Sequence, residues 1–289
     1  MAGFAGKDEL FKAAASGDVE FLSSHIQLQP LASAEATAPR DSASVQEGSD
    51  GGRSPSVAAS ERRLDAKDLH SLEDEDGRSL LHVASAAGRH DAVEFLLRAG
   101  ANASKADEGQ WTPLLSAASA GHLAVVKALL QAAGSRREDA AAVEAFLEAR
   151  TPSGGTALAT AAAKGHTAVV EALLDAGANI DARDSYGRTA VSKAVAASRE
   201  STAELLITRG ASLKVQEAFT GDNVLHLAVN SENADLCLLL MKKDPELRFQ
   251  KNKDGVTPFE AGRGPFLKHL AMLYEEEQGD GAESSEAQG

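Results

Sequence analysis

Two histidines of this 289-residue chain stand in the same octapeptide frame, His82 in GRSLLHVA (77–84) and His226 in GDNVLHLA (221–228). Histidine is the side chain best suited to move a proton or hold a metal near neutral pH. Either role needs a partner, such as a second ligand at metal spacing or a nucleophile and an orienting carboxylate. His25, His70, His90 and His269 have no partner at ligand spacing, and His122 and His166 each follow a glycine in a pattern of their own. The chain contains no HExxH, CxxC, G-x-S-x-G, Walker loop or G-x-G-x-x-G. The carboxylates Glu73, Asp74, Glu75 and Asp76 fall in a turn-like stretch with no pocket implied around them, and solvation explains them.

The frame around the histidines repeats. A hydroxyl residue or asparagine two positions after a turn glycine recurs as Ser79, Thr112, Thr156, Thr189, Asn223 and Thr257, spaced 33, 44, 33, 34 and 34. One step carries eleven extra residues. In this frame the place of His82 and His226 passes to Leu115, Ala159, Ser192 and Glu260. A catalytic residue is not interchangeable along an array, so the position reads as scaffold: an imidazole at a helix start that bridges backbone groups left open there. The expectation is therefore no enzyme and no catalytic, cofactor or metal-binding residue.

Nine residues after each anchor a second glycine ends a short helix, at Gly88, Gly121 and Gly165, replaced by Ser198 and Glu232 further on. Apolar runs at helical spacing follow: VEFLL (93–97), VVKALL (125–130), VVEALL (169–174), AELLI (203–207) and LCLLLM (236–241). Each unit is thus a turn and two helices. Residues are 43% hydrophobic but only 4% aromatic, so the core must be built from Ala, Leu and Val, which suits closely stacked helices. The single Cys237 excludes an internal disulfide framework and favours a reducing compartment, cytoplasmic or nuclear.

MAGFAGKDEL at the start has neither the basic residues nor the apolar run of a secretory signal, and its KDEL lies at the wrong end to act as a retention address. The longest uncharged window, 109–126, contains Gln110, Pro113, two glycines and His122, and predicts no membrane span. Net charge is −14, with six acids and no base after Tyr274, which argues against nucleic acid and for a basic or mixed protein surface as partner.

A period near 33 with WTPLLSA (111–117), LLHVA (80–84), VLHLA (224–228) and VTPFEA (256–261) resembles the ankyrin repeat, which implies an all-α solenoid with β-turn or hairpin tips. DELFKAAASGDVEFL (8–22) repeats the helix–glycine–helix frame as a cap would, giving about seven units. The expected division is an N-terminal capping repeat at 5–28, a disordered insertion at 29–64, six further repeats at 65–275 and a disordered acidic tail at 276–289. The insertion is rich in Ser, Ala, Gly and Pro, and its Ser54 precedes Pro55 as a candidate phosphorylation site. Within the array, SRREDAAAVEAFLEAR (135–150) places Val143, Phe146 and Leu147 at i, i+3 and i+4, a short amphipathic helix.

Such a stack offers a concave surface lined by turn tips and the outward positions of first helices. The frame puts Arg78, Trp111, Arg188 and Asp222 just before the anchors. It puts Glu75, Asp76, Asp107, Glu108, Tyr186 and Asp254 at the tips, and Ser116, Ser119 and Lys193 on first helices. For the charged residues a solvated turn is the competing reading. Trp111, the only tryptophan, is either an exposed anchor or packed on the next hairpin.

DEGQWTPLLSAASAG followed by VVKALL, SLLHVASAAG followed by VEFLL, and NKDGVTPFEAGRGPFLKHL resemble the gankyrin family over residues 5–28 and 65–275. That family comprises seven-repeat assembly chaperones that are non-ATPase subunits of the proteasome regulatory particle. The resemblance implies that the concave face grips the C-terminal domain of one ATPase subunit through complementary charges, as a monomer, with Arg78 and Trp111 matching family positions. Animal members of the family also carry an LxCxE retinoblastoma-binding stretch in the sixth repeat; the corresponding residues here are Leu227, Ala228, Val229, Asn230 and Ser231, with neither Cys nor Glu, so that activity does not carry over. A generic ankyrin adaptor or inhibitor, such as a ubiquitin-ligase substrate receptor or a kinase or transcription-factor regulator, is the alternative.

Overall fold

The computed structural model describes residues 6–28, 63–135 and 140–286. In chain order the helices are α1 (Lys7–Ser16), α2 (Val19–His25), α3 (Ala66–Ser71), α4 (Leu80–Ala86), α5 (His90–Arg98), α6 (Pro113–Ala120), α7 (Leu123–Ser135) and α8 (Ala140–Leu147). There follow α9 (Ala157–Lys164), α10 (Thr167–Asp175), α11 (Ala190–Ala196), α12 (Glu200–Thr208), α13 (Val224–Asn230), α14 (Ala234–Lys243), α15 (Pro258–Ala261) and α16 (Gly264–Glu286), with a 3-10 turn at Pro245–Phe249. Among the described residues there is no strand, only an isolated bridge. The helices α1, α4, α6, α9, α11, α13 and α15 stack in one row, and α2, α5, α7, α10, α12, α14 and α16 in a second. This is the expected all-α solenoid of seven two-helix units.

From α4 onward, each first helix starts where the recurring side chain caps it; α1 follows Gly6 and has no side-chain cap. Ser79, Thr112, Thr156, Thr189, Asn223 and Thr257 each accept from the N–H three residues on, satisfying a donor that the helix leaves open. Helices of four to eight residues do not persist alone in water, so stacking holds them. The contact is close because Ala84, Ala117, Ala161, Ala194 and Ala228, all five residues after an anchor, are fully buried between first helices. The second row contributes Val93, Val126, Val170, Ala203 and Cys237 at one frame position, all equally buried. Cys237 is thus a core residue in a valine's place, and burial pushes its thiol up to about 12.

The turn between the two helices has a second fixed device. Gly88 and Gly121 have φ of 71° and 80°, and a Cβ on either would lie 2.6 Å from Nδ1 of the next unit's His122 or His166. Those imidazoles reach back with Nε2 to the carbonyls of Ala86 and Ser119, at 3.1 Å each. Arg89 and Arg199 do the same with Nε, to Ala15 and Ala163. Ser198 and Glu232 keep the left-handed backbone, at φ 52° and 51°, without being glycine.

Three boundaries differ from expectation or fall outside the described residues. Leu64, assigned to the insertion by sequence, is buried and forms a parallel bridge with Ile26, its N–H on the His25 carbonyl and its carbonyl on the Gln27 N–H. Residues 29–62, with Ser54, lie outside the described residues, as do 136–139. Past residue 275, where a structureless tail was expected, α16 continues to Glu286. In the second insertion α8 lies against α7 with Phe146 and Leu147 buried. Among the described residues no helix is long and apolar enough to cross a membrane.

Candidate functional site

Both histidines of the opening frame are buried, and their hydrogen bonds define their role. His82 Nδ1 lies 3.1 Å from the Ser79 N–H and Nε2 lies 3.0 Å from the Trp111 carbonyl, so the ring accepts from its own cap and donates to the next unit. His226 bridges the same two places, with Nδ1 3.3 Å from the Asn223 N–H and 2.8 Å from Asn223 Oδ1 and Nε2 3.0 Å from the Val256 carbonyl. Burial drives the His82 pKa below its ordinary value; the bond to Trp111 and the charge of Asp107 oppose this without reversing it. A neutral imidazole suits the His82 bridge, with one nitrogen accepting and the other donating. Among the described residues no group of three or more His, Cys, Asp or Glu is placed to hold a metal.

The surface with functional potential is the edge formed by the tips. At most tips one polar side chain folds the turn by accepting backbone N–H groups ahead of it. Asp74 takes those of Asp76 and Arg78, Asp107 that of Trp111, Thr151 that of Gly155, Asp184 those of Tyr186 and Arg188, and Asn252 those of Asp254 and Val256. Neighbouring tips are laced by Glu108 N–H to Asp76, Ser185 to Ser153, Ala218 to Tyr186 and Lys253 to Thr220. Among the described residues no such bond joins the third tip to the fourth, the step that carries α8.

The candidate residues divide into two groups along this edge. Glu75, Asp76, Arg78 and Glu108 are exposed and adjacent on tips two and three, beside half-buried Asp107. Arg78 is held by Asp74 and Asp76 at 2.8 and 3.1 Å, so its guanidinium serves its own tip. Trp111 is half-buried and packs against the core, while Ser116 and Ser119 are half-buried on α6. Tyr186, Arg188 and Lys193 come together at tip five. Asp222 is half-buried and accepts from Asn252 at 2.9 Å; Asp254 is exposed.

Lys193 corrects the sequence reading. Its side chain is 14% exposed, and its Nζ lies 3.0 Å from Asp184, turned inward and not toward a partner. The reason is Asp184, which sequence inspection leaves among ordinary turn carboxylates. Its side chain is wholly buried and accepts Lys193, the Arg188 guanidinium at 3.2 Å and two backbone N–H groups. Burial alone would raise its pKa, but the Arg188 and Tyr186 N–H bonds and the Lys193 ammonium together hold it below the usual carboxylate value.

On this base stands an exposed aromatic group. The Arg188 guanidinium lies 4.6 Å from the Tyr186 ring centroid, and Tyr186 contacts Phe219 of the next tip at 5.8 Å between centroids. Tyr186 is 46% and Phe219 70% exposed. Phe219 escapes a reading based on the repeat frame because the sixth tip is one residue longer than the fifth, placing it outside the aligned positions.

A family model described as ankyrin repeats in three copies matches residues 10–139 and 131–217. The 26S proteasome non-ATPase regulatory subunit 10 of Dictyostelium discoideum is 44% identical over 59 residues, 20% of this chain and 25% of that protein. The matched stretch therefore spans a quarter of that relative's length. Among solved structures, the ankyrin repeat domain of human ASB11 superposes with a TM-score of 0.64 at 19% identity over 91% of this chain and 96% of its own. The ankyrin repeat domain of Bcl-3, a member of the IkappaB protein family, gives 0.61 at 27% identity over 70% and 85%. Stacked helix pairs, an edge of laced tips and these matches agree: the chain belongs to the ankyrin-repeat family, and its folded array is a protein-binding domain.

Proposed function

We propose that this chain is an assembly chaperone of the proteasome regulatory particle, binding the C-terminal domain of an ATPase subunit on the concave, tip-lined face. The observation that carries the reading is the 44% identity over 59 residues to a proteasome non-ATPase regulatory subunit. The surface is compatible with a folded partner of mixed charge. Exposed carboxylates at Glu75, Asp76 and Glu108 stand on tips two and three, with exposed cations at Arg183, Lys214, Lys251 and Lys253 on or beside tips five to seven. The protein acts as a monomer in the cytoplasm or nucleus, without nucleic acid or membrane.

Surface plasmon resonance of the purified chain against the isolated C-terminal domains of the regulatory-particle ATPases, at two salt concentrations, tests this. Micromolar or tighter binding of one domain, weakened by salt mainly through slower association, is expected. No binding to any of them overturns the reading. A generic adaptor or inhibitor is the second reading, favoured by structural likeness to the ASB11 and Bcl-3 domains over most of the chain. It predicts that other proteins, and no proteasomal ATPase, bind the same face.

A further inference from the structure

Phe219 and Tyr186 are two of the large apolar side chains left exposed among the described residues, and they touch each other across adjacent tips. Free aromatic rings on a loop are ordinarily mobile. Here the backbone that carries both rings is held from several sides, and the rings touch each other. The Tyr186 backbone is bonded by its N–H to buried Asp184 and by its carbonyl to the Ala218 N–H, 2.8 Å away. The guanidinium of Arg188 is fixed on Asp184 while it covers the Tyr186 ring. Lys253 then ties the Phe219 loop from the following unit, its ammonium on the Ala218 carbonyl and its N–H on the Thr220 carbonyl. An aromatic pair already ordered before binding loses little entropy when a partner arrives, which is what a binding anchor requires.

The charges around the pair are sorted by direction. Four carboxylates near it are engaged as acceptors within the array. Asp184 serves Lys193 and Arg188, Asp181 takes the Ser212 N–H, Glu217 takes the Thr220 hydroxyl and Asp222 takes Asn252. The cations Arg183, Lys214 and Lys251 are exposed, and among the described residues no ion pair engages them. Exposed acids of the seventh unit include Asp254 at the tip and Glu260 at the start of α15, the latter held by the Thr257 N–H and hydroxyl and within the field of Lys251.

We infer that the Tyr186–Phe219 pair is the anchor of the binding face, and that it receives a large apolar side chain carried on an acidic segment of a protein partner. The ring faces bury the apolar group, and Arg183, Lys214 and Lys251 meet the carboxylates that flank it. The inference rests on the reading of this edge as a protein-binding surface and holds whichever partner supplies the segment.

The test uses three fluorescent 13-residue peptides and the full chain, followed by anisotropy at low and moderate salt. One peptide is rich in Asp and Glu around a central Leu, the second has Ala for that Leu, and the third has Lys for each acid. The acidic Leu peptide binds at least about tenfold more tightly than the other two. Phe219→Ala removes that preference, Phe219→Leu keeps most of it, and Arg183→Glu with Lys251→Glu weakens the acidic peptide alone. Phe219 is exposed enough that its truncation leaves the thermal midpoint unchanged. Equal binding of all three peptides, or a preference that survives Phe219→Ala, overturns the inference. So does concentration-dependent dimerisation abolished by Phe219→Ala, which would assign the pair to a second copy of this chain. Because no ATPase domain is used, failure here leaves the proteasome reading standing, and failure of that reading leaves this one standing.

Discussion

Gly121→Ala tests how adjacent units lock together. Two penalties follow from its position. The backbone there has φ 80°, a conformation that costs an L-residue about 1–2 kcal/mol. The new methyl group would also sit 2.6 Å from Nδ1 and 2.7 Å from Cε1 of His166, so the imidazole must leave and give up its bond to the Ser119 carbonyl, a loss of about 1 kcal/mol. The single substitution should therefore cost about 2–3 kcal/mol. His166→Ala alone should cost about 1 kcal/mol, since it loses the hydrogen bond and little else. In the double variant no ring remains to be displaced, so the two losses are shared and the total stays at about 2–3 kcal/mol. Urea denaturation followed by far-ultraviolet circular dichroism measures all four corners of the cycle. Full additivity, or a Gly121→Ala cost under about 0.5 kcal/mol, would show that His166 is not packed on the glycine and refute the interlock.

Further substitutions probe the same structure. Ser198→Gly and Glu232→Gly remove left-handed strain at the equivalent turns and should each stabilise the chain by up to about 1 kcal/mol in the same denaturation assay, the second less because Glu232 also pairs with Arg263. Asp184→Ala strands Lys193 and two backbone N–H groups and should cost about 3 kcal/mol, with loss of the peptide preference assigned to Tyr186 and Phe219. Since the folded pKa of His82 is depressed, the unfolded chain takes up a proton first as pH falls through about 6.5. Stability should decline below that pH by up to about 1.4 kcal/mol per unit from this group, and His82→Gln should flatten that part of a urea-midpoint profile. Joining Leu28 to Arg63 by a short Gly-Ser linker should leave the thermal midpoint nearly unchanged, because the Ile26–Leu64 bridge already closes the two ends.

The repeat was legible because it is enforced by chemistry with few substitutes. A cap needs a short acceptor, which keeps Ser, Thr or Asn at each anchor, and close stacking needs alanine five residues later. The role of His82 and His226 was legible for the same reason, since replacement by Leu115 or Ala159 removes any shared chemistry. The binding edge was only half legible. Lys193 carries an outward frame position in the sequence, yet the tip ahead of it folds a buried carboxylate into its reach, and a single sequence does not distinguish Asp184 from a solvated aspartate. Phe219 stayed hidden because one inserted residue broke the alignment on which the tip positions were chosen. The turn at Ser198 and Glu232 shows the opposite lesson: the glycine signal is lost, but the stacking on either side still imposes the left-handed backbone.

Affinity purification of the tagged full chain from its native cells under mild salt, with mass spectrometry of what accompanies it, decides between the chaperone and adaptor readings. Enrichment of regulatory-particle ATPase subunits without the core particle, lost when Tyr186 and Phe219 are both replaced by alanine, is the expected result. Recovery of other proteins with no proteasome subunit would contradict the chaperone reading and assign this ankyrin array to the adaptor class.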